Sequence, residues 1–299
     1  GWRGGDAKWP DGIPDAGIPS VETDLSSPTG VSSGLGGNFP GRWRHAVYIA
    51  DWAYGRILAY FPSEYGAGWR GRAEPFAGAA AFNVADMIFG PDGALYGVTG
   101  GRGTRSTLFR IRADVDSRPE MATPTTRLGH QARALKRQLE AGHLSPQKEL
   151  LGIAWRHLGH RDPAISYAAR VALEQLPVEI WRDLVVATPG SISRIGLLAL
   201  ARVGETVDRD PLLEKLCDLP PAGNRRYLLE ELRIATVAIA RHGDPAGATR
   251  QRLLARFDPL FPATDLAVNR LCGDLLARLS APLLAQRILP WLTSEADSA

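Results

Sequence analysis

The hydrophobic pattern of this 299-residue chain changes its period once, near residue 120. Ahead of that point apolar residues alternate with others, as in Ala46-Val47-Tyr48-Ile49-Ala50 and Thr107-Leu108-Phe109-Arg110-Ile111. Beyond residue 127 Leu, Ala, Arg and Glu recur at helical spacing, as in Ile165, Ala168, Ala169, Ala172 and Leu176. A period of two places side chains on the two faces of a strand, whereas a period near 3.6 lines one face of a helix. The two parts therefore fold differently, and the length suffices for two domains. Residues 117–126 (SRPEMATPTT), with two prolines among small polar residues, separate them.

In the first part, 46–50 pairs with Arg56-Ile57-Leu58-Ala59-Tyr60 across a turn at Tyr54-Gly55. The cadence returns at Ala94-Leu95-Tyr96-Gly97-Val98, followed by a glycine-rich turn and the strand 107–111. Gly90-Pro91-Asp92-Gly93 supplies the tight turn before this second copy, with Pro fixing φ and Gly accepting a positive one. Tyr48 and Tyr96 lie 48 residues apart, the period of a four-stranded propeller blade. Two to three blades fit in residues 1–118. A ring closes with roughly four to eight, and open edge strands invite pairing, so the chain is expected to be a piece of a longer protein.

In the second part, Asp162-Pro163, Asp210-Pro211 and Asp244-Pro245 each join an N-cap residue to a proline suited to the first helical position. The endings Arg156-His157-Leu158-Gly159, Ala201-Arg202-Val203-Gly204, Ala240-Arg241-His242-Gly243 and Ala277-Arg278-Leu279-Ser280 are versions of one terminus, spaced by 45, 39 and 37 residues. Glycine there suits a left-handed C-terminal cap. Helix pairs repeating at about forty residues describe a HEAT-type solenoid. The expected fold is thus multidomain, β then α: a partial β-propeller (1–118), a linker (119–126) and an α-helical repeat array (127–299). Ile165, Ala168, Ala172, Leu198, Leu229 and Leu232 are the expected core of the array.

The formal charge is +3, carried almost wholly by arginine, since lysine occurs only at 8, 136, 148 and 215. The arginines interleave with Asp and Glu and form no stripe, so nucleic acid is not the expected partner. No apolar run reaches eighteen residues, which leaves no membrane-spanning helix to expect. The opening GWRGGDAKWP has no basic and apolar leader, so no signal peptide is read in this chain. Cys217 and Cys272 are expected to be buried free thiols. The absence of CxxC and CxxCH excludes zinc ribbons, redox pairs and covalent haem attachment within these residues.

Motifs with chemical potential resolve into structural ones. Gly100-Gly101-Arg102-Gly103-Thr104-Arg105 suggests a phosphate loop, but it leads from strand to strand instead of into a helix. Asp51, Asp86 and Asp92 lie near strand ends, where aspartates hold backbone amides. His157 and His160 are three residues apart, with no acidic or cysteine partner at ligand spacing; His157 and His242 suit helix C-termini instead. His45, beside Arg42 and Arg44, is expected to face solvent. Gly190-Ser191-Ile192-Ser193 opens a helix and makes no nucleophile elbow. No catalytic, cofactor-binding or metal residue is assigned.

The first part resembles the propeller of the glucose/sorbosone dehydrogenase superfamily in Gly1-Trp2, Ser27-Pro28-Thr29-Gly30-Val31, Asn38-Phe39-Pro40-Gly41 running into Val47–Asp51, and Phe89-Gly90-Pro91-Asp92-Gly93-Ala94-Leu95-Tyr96. Nearly the whole chain resembles the large secreted proteins of Planctomycetes and relatives, in which such a propeller precedes HEAT repeats and a c-type haem domain. Gly97–Thr104 and Tyr167-Ala168-Ala169-Arg170-Val171-Ala172-Leu173-Glu174 carry that likeness. The resemblance implies a periplasmic or secreted location and a haem c or quinone in the full-length parent. It also implies that quinone-gripping Lys and Arg positions fall on Ala53, Asn83 and Ala85 here, residues that cannot replace cationic forks. The expected role is a binding or scaffold segment without a complete active site, holding a protein partner or neighbouring domain on the concave helical face. The alternative is part of a quinone-dependent sugar or alcohol dehydrogenase completed by further blades; a third reading is a cytosolic HEAT adaptor.

Overall fold

The computed structural model describes residues 15–17, 19–23, 26–101, 103–114, 126–188 and 191–289. The chain divides into two compact units, Gly1–Trp9 with Ile18–Arg133, and Pro10–Gly17 with Ala134–Ala299. The first is built from two antiparallel sheets and the second from helices, a β-then-α layout. Of the stretch read as a linker, 119–126, only Thr126 lies among the described residues.

In the first unit β1 (Pro28–Ser33), β2 (Val47–Asp51), β3 (Arg56–Tyr65) and β4 (Gly68–Gly78) pair in chain order as a four-stranded meander. A second meander follows from β5 (Val84–Phe89), β6 (Leu95–Gly101) and β7 (Thr104–Ile111). The two expected hairpins are β2–β3, with Tyr48 opposite Ala59, and β6–β7, with Val98 opposite Leu108. Tyr48 and Tyr96 each sit on the second strand of their sheet. Period-two patterning turns Tyr48, Ala50, Ile57 and Ala59 into one core with Val84, Met87 and Leu95 of the other sheet. Phe39, Trp43, Phe76 and Phe89 close round Tyr48, whose ring meets Phe76 at 4.7 Å, edge to face. In the turn before β6, Gly93 adopts φ +72° and donates its N–H to Gly90 O at 2.9 Å.

Helix α1 (Arg127–Leu144) follows, and the division between the units falls within it. The second unit then contains α2 (Leu150–His157), α3 (Pro163–Glu174), α4 (Arg182–Ala187), α5 (Ser191–Val203), α6 (Arg209–Asp218), α7 (Arg225–His242), α8 (Gly247–Phe257) and α9 (Leu266–Arg278). Helices α3, α5, α7 and α9 pack in succession as one layer; α4, α6 and α8 form another against it. Ile165, Ala168, Ala172, Leu198, Leu229 and Leu232 are all buried between helices. Each layer thus buries the apolar stripe of the other.

The helix starts follow sequence in part. Asp162 caps α3, accepting from Ala164 N–H at 2.9 Å with Pro163 in the first turn. Asp210 and Asp244 do not cap. A short 3-10 turn at Thr206–Asp208, where Asp208 accepts from Glu205 N–H at 2.9 Å, runs directly into α6. Pro211 therefore sits inside the first turn, where its missing N–H costs no hydrogen bond. Asp210 instead accepts from Ala246 N–H at 3.0 Å, at the start of α8, and Asp244 lies in the loop before that helix. Asn224 and Asp265 cap α7 and α9 in the expected manner, although the proline signal did not mark them.

The helix ends need a similar correction. Gly243 (φ +84°) and Ser280 (φ +49°) are left-handed, whereas Gly159 and Gly204 are not. Gly204 is required for proximity: a Cβ there would lie 2.5 Å from Leu200 O. Side chains from neighbouring helices satisfy the terminal carbonyls, with Arg250 donating to Leu279 O and Arg209 to His242 O.

Leu198, wholly buried on α5, tests the packing of the layers. Leu198→Ala should lower unfolding free energy by about 2–5 kcal/mol in urea denaturation. A loss under about 0.5 kcal/mol would show that this face does not carry the core.

Candidate functional site

The helical unit carries a cluster of five charged side chains on its α3–α5–α7 layer, with the Asp15, Arg170 and Glu174 side chains buried and those of Arg202 and Arg233 partly exposed. Burial of ions in a dry interior demands close partners, and the layer supplies them from successive helices. Arg170 on α3 pairs with Glu174 one turn on, and its other guanidinium nitrogen donates to the main-chain carbonyl of Asp15 at 2.8 Å. Arg202, at the end of α5, donates to Asp15 Oδ2 at 2.6 Å, and its Nε lies 2.9 Å from Glu174 Oε1. Arg233, midway along α7, closes a two-pronged fork on the same carboxylate, at 2.8 Å to Oδ1 and 3.1 Å to Oδ2.

Asp15 is thereby held by three arginines from three helices, 155 to 218 residues away in sequence. Only 6% of its surface is exposed. Burial opposes its ionisation, but the Arg233 fork and the Arg202 charge outweigh that penalty, and the carboxyl titrates below its ordinary range. Glu174 behaves oppositely: burial dominates over Arg170 and Arg202 and raises it. One carboxylate in the cluster is thus held firmly charged, while the other is strained toward its neutral form.

A second network stiffens the layers behind it. Buried Glu231 on α7 accepts from Arg194 of α5 at 2.9 Å and from Arg256 of α8 at 2.7 Å. Arg256 also donates to Leu219 O at 2.9 Å, satisfying a carbonyl past the end of α6. Arg194 lies over the Tyr227 ring.

In the sheet unit the aspartates hold backbone, as expected. Asp51 is fully buried, accepting from Ser27 N–H at 3.0 Å and from Arg56 Nε at 2.8 Å. Asp86 accepts from its own neighbour, Met87 N–H. Asp92 accepts from Ala94 N–H, Tyr96 Oη and Arg110, and the first of these leads in lowering its pKa. Asp92 and Arg110 border an open recess of about 390 Å³ with Asn38 and Arg112. The glycine-rich stretch connects β6 to β7 in a hairpin, with Arg102 outside the described residues.

Of the positions on which the resemblance would put a quinone grip, Asn83 is tied to Trp52. Asn83 Nδ2 donates to Trp52 O at 2.7 Å, and Trp52 Nε1 donates to Gly100 O at 2.6 Å. Ala53 and Ala85 are exposed and carry no polar side-chain atom. With its amide engaged by Trp52, Asn83 offers no cation either, so this donor set does not fit an anionic tricarboxylate.

His157 and His160 have ring centroids 5.8 Å apart; His157 Nδ1 bonds Ile153 O and His160 Nδ1 accepts from Asp162 N–H. His242 ends α7 and contacts Ala201 O at 3.0 Å. Among the described residues no three His, Cys, Asp or Glu side chains converge as a metal site. His45 is half-buried in a short turn at Gly41–His45, not out in solvent. Both cysteines are free thiols, but only Cys272 is buried; burial pushes it up to about 11. Cys217 is half-buried and raised for the same reason. Among the described residues no helix is long and apolar enough to cross a membrane.

Sequence reasoning missed the arginine clamp. Arg170, Arg202 and Arg233 are spaced by 32 and 31 residues, an interval that the spacing of the helix endings does not share and that nothing local sets apart in an arginine-rich chain. Comparison of the chain with protein-family models, with curated proteins and with solved structures finds no match.

The clamp makes a pH prediction. A carboxylate whose folded pKa lies below its unfolded one contributes stability that is complete above the unfolded value, about 3.9 for Asp, and is lost as pH falls through the folded value. Asp15→Asn should therefore be less stable than the wild type by about 1–3 kcal/mol at pH 7. That difference should shrink as urea titrations are repeated below about pH 4. A difference that stays constant or grows down to pH 2 contradicts the assignment.

Proposed function

We propose that this chain is a binding or scaffold segment of a secreted or periplasmic, dehydrogenase-like multidomain protein. In this reading the two meanders are blades of a β-propeller completed by further sequence, and the helices are a HEAT-type solenoid. The 48-residue repeat between second strands and the two-layer stacking of the helices support it. A quinone or haem c belongs to the longer parent. The segment's own work is to hold a protein partner or neighbouring domain on the helical repeat face.

One observation carries the reading: three arginines from three successive helices of one layer converge on a single carboxylate remote in sequence. Interior ion pairs of this kind add little net stability compared with apolar packing, so their concentration on one layer is better accounted for by recognition. Repeat arrays use an extended layer of this sort as their binding surface.

Two measurements separate this role from the dehydrogenase alternative. A photo-reactive residue at Tyr167, beside the clamp, should cross-link a partner segment in cells producing the protein, while one at Leu184 on α4 should not; equal capture at both would contradict a face-specific role. In parallel, purified chain given pyrroloquinoline quinone, calcium and glucose or sorbosone should reduce no dye above the level of heat-killed protein. Saturable turnover would make the enzyme reading the correct one.

A further inference from the structure

We propose that the Arg170–Arg202–Arg233 clamp is a recognition site for a peptide segment bearing an aspartate, and that Asp15–Gly17 occupies it in cis as the chain's own stand-in. This rests on the partner-binding reading above and adds to it the chemistry of the ligand.

Three features define that chemistry. First, the clamp reads both parts of one residue. Arg233 forks onto the Asp15 carboxylate, Arg202 adds a third bond to it, and Arg170 holds the carbonyl of the same residue at 2.8 Å. Fork geometry of this kind suits a planar carboxylate and fixes its orientation. Second, the residues that follow lie beside the clamp without being enclosed by it: Ala16 is half-buried, Gly17 is exposed, and a Cβ on Gly17 would make ordinary contact with the Tyr167 ring at 3.6 Å. Third, charge requires an occupant. Without Asp15, Arg233 would lose both of its carboxylate bonds, and Arg170 and Arg202 would share Glu174 alone, whose own ionisation burial already opposes. An empty clamp is therefore poorly tolerated, and an anion that fits it is bound.

The occupant in place is suited to exchange. Residues 15–17 form no helix or strand, and Asp15 is the one side chain among them that enters the clamp. Arg202 and Arg233 keep 36% and 23% of their side chains exposed, so water can reach them as the segment leaves. A tethered occupant acts at an effective concentration of about a millimolar. A partner must exceed that competition, which makes the segment a threshold on binding.

The test uses a fluorescent peptide with the sequence of residues 9–20 (WPDGIPDAGIPS) and a control in which only the aspartate equivalent to Asp15 is asparagine. Fluorescence anisotropy should show the Asp peptide binding Asp15→Ala protein at least about tenfold more tightly than wild type, because the cis competitor is gone. The Asn peptide, and the Asp peptide against Asp15→Ala/Arg233→Ala, should each bind at least about tenfold more weakly. Equal binding of both peptides, or no gain over wild type with the helical circular dichroism retained, overturns the proposal. If Asp15→Ala fails to fold, hydrogen exchange on wild-type protein decides: millimolar Asp peptide should speed exchange at residues 15–20, and unchanged exchange counts against the proposal. Cross-links at Tyr167 without any preference for the Asp peptide would sink this inference while leaving the partner-binding reading intact.

Discussion

A guanidinium taken out of water costs several kcal/mol unless a carboxylate accompanies it, and the helical unit is organised around that requirement. Arg170, Arg194, Arg202, Arg233 and Arg256 reach between helices, and each finds an acid: Glu174, Glu231 or Asp15. Apolar residues such as Leu198 and Leu232 bring the layers together, because burial is non-directional. The ion pairs have geometry, so they fix which turn of one helix faces which turn of the next. Removing one partner strands its mate in a buried setting, which is why such networks resist piecemeal change. The clamp on Asp15 differs from the others in one respect: its acid comes from an irregular segment and not from a packed helix.

The sheet unit uses the same logic with backbone groups. Buried Asp51 satisfies Ser27 N–H and Arg56 together. Trp52, Asn83 and Gly100 link the β2–β3 turn to the second meander through two bonds of 2.6 and 2.7 Å.

What the sequence made legible follows from how local each signal is. The β2–β3 and β6–β7 hairpins were readable because alternation and a turn glycine lie within fifteen residues or so of each other. The Asp162 cap was readable for the same reason, being an Asp-Pro pair followed by an apolar stripe. Asp210-Pro211 looked identical but failed, since Glu205 and Asp208 had already started the turn upstream. The glycine endings were correctly placed at Gly243 but misattributed at Gly204, where closeness to Leu200 O and not backbone handedness excludes a side chain. The clamp was invisible for a different reason. Its parts are an aspartate near the N-terminus and three arginines in an arginine-rich text, and no local pattern distinguishes them from solvated charges. Only the fold brings them within hydrogen-bonding distance.

Asp15 and Arg233 are directly coupled in energy, and a double-mutant cycle measures that coupling. Unfolding free energies would be taken for wild type, Asp15→Ala, Arg233→Ala and the double variant at pH 7 and low salt. Contacting charges in one network are expected to depart from additivity by about 0.5–3 kcal/mol, and a two-pronged buried fork should fall in the upper half of that range. Coupling above about 1.5 kcal/mol, weakened but not abolished at 0.5 M salt because Asp15 is buried while Arg233 stays partly in water, is the predicted result. Additivity within about 0.5 kcal/mol would mean that Asp15 does not occupy the arginine clamp in solution, and the account of the helical face would fail with it.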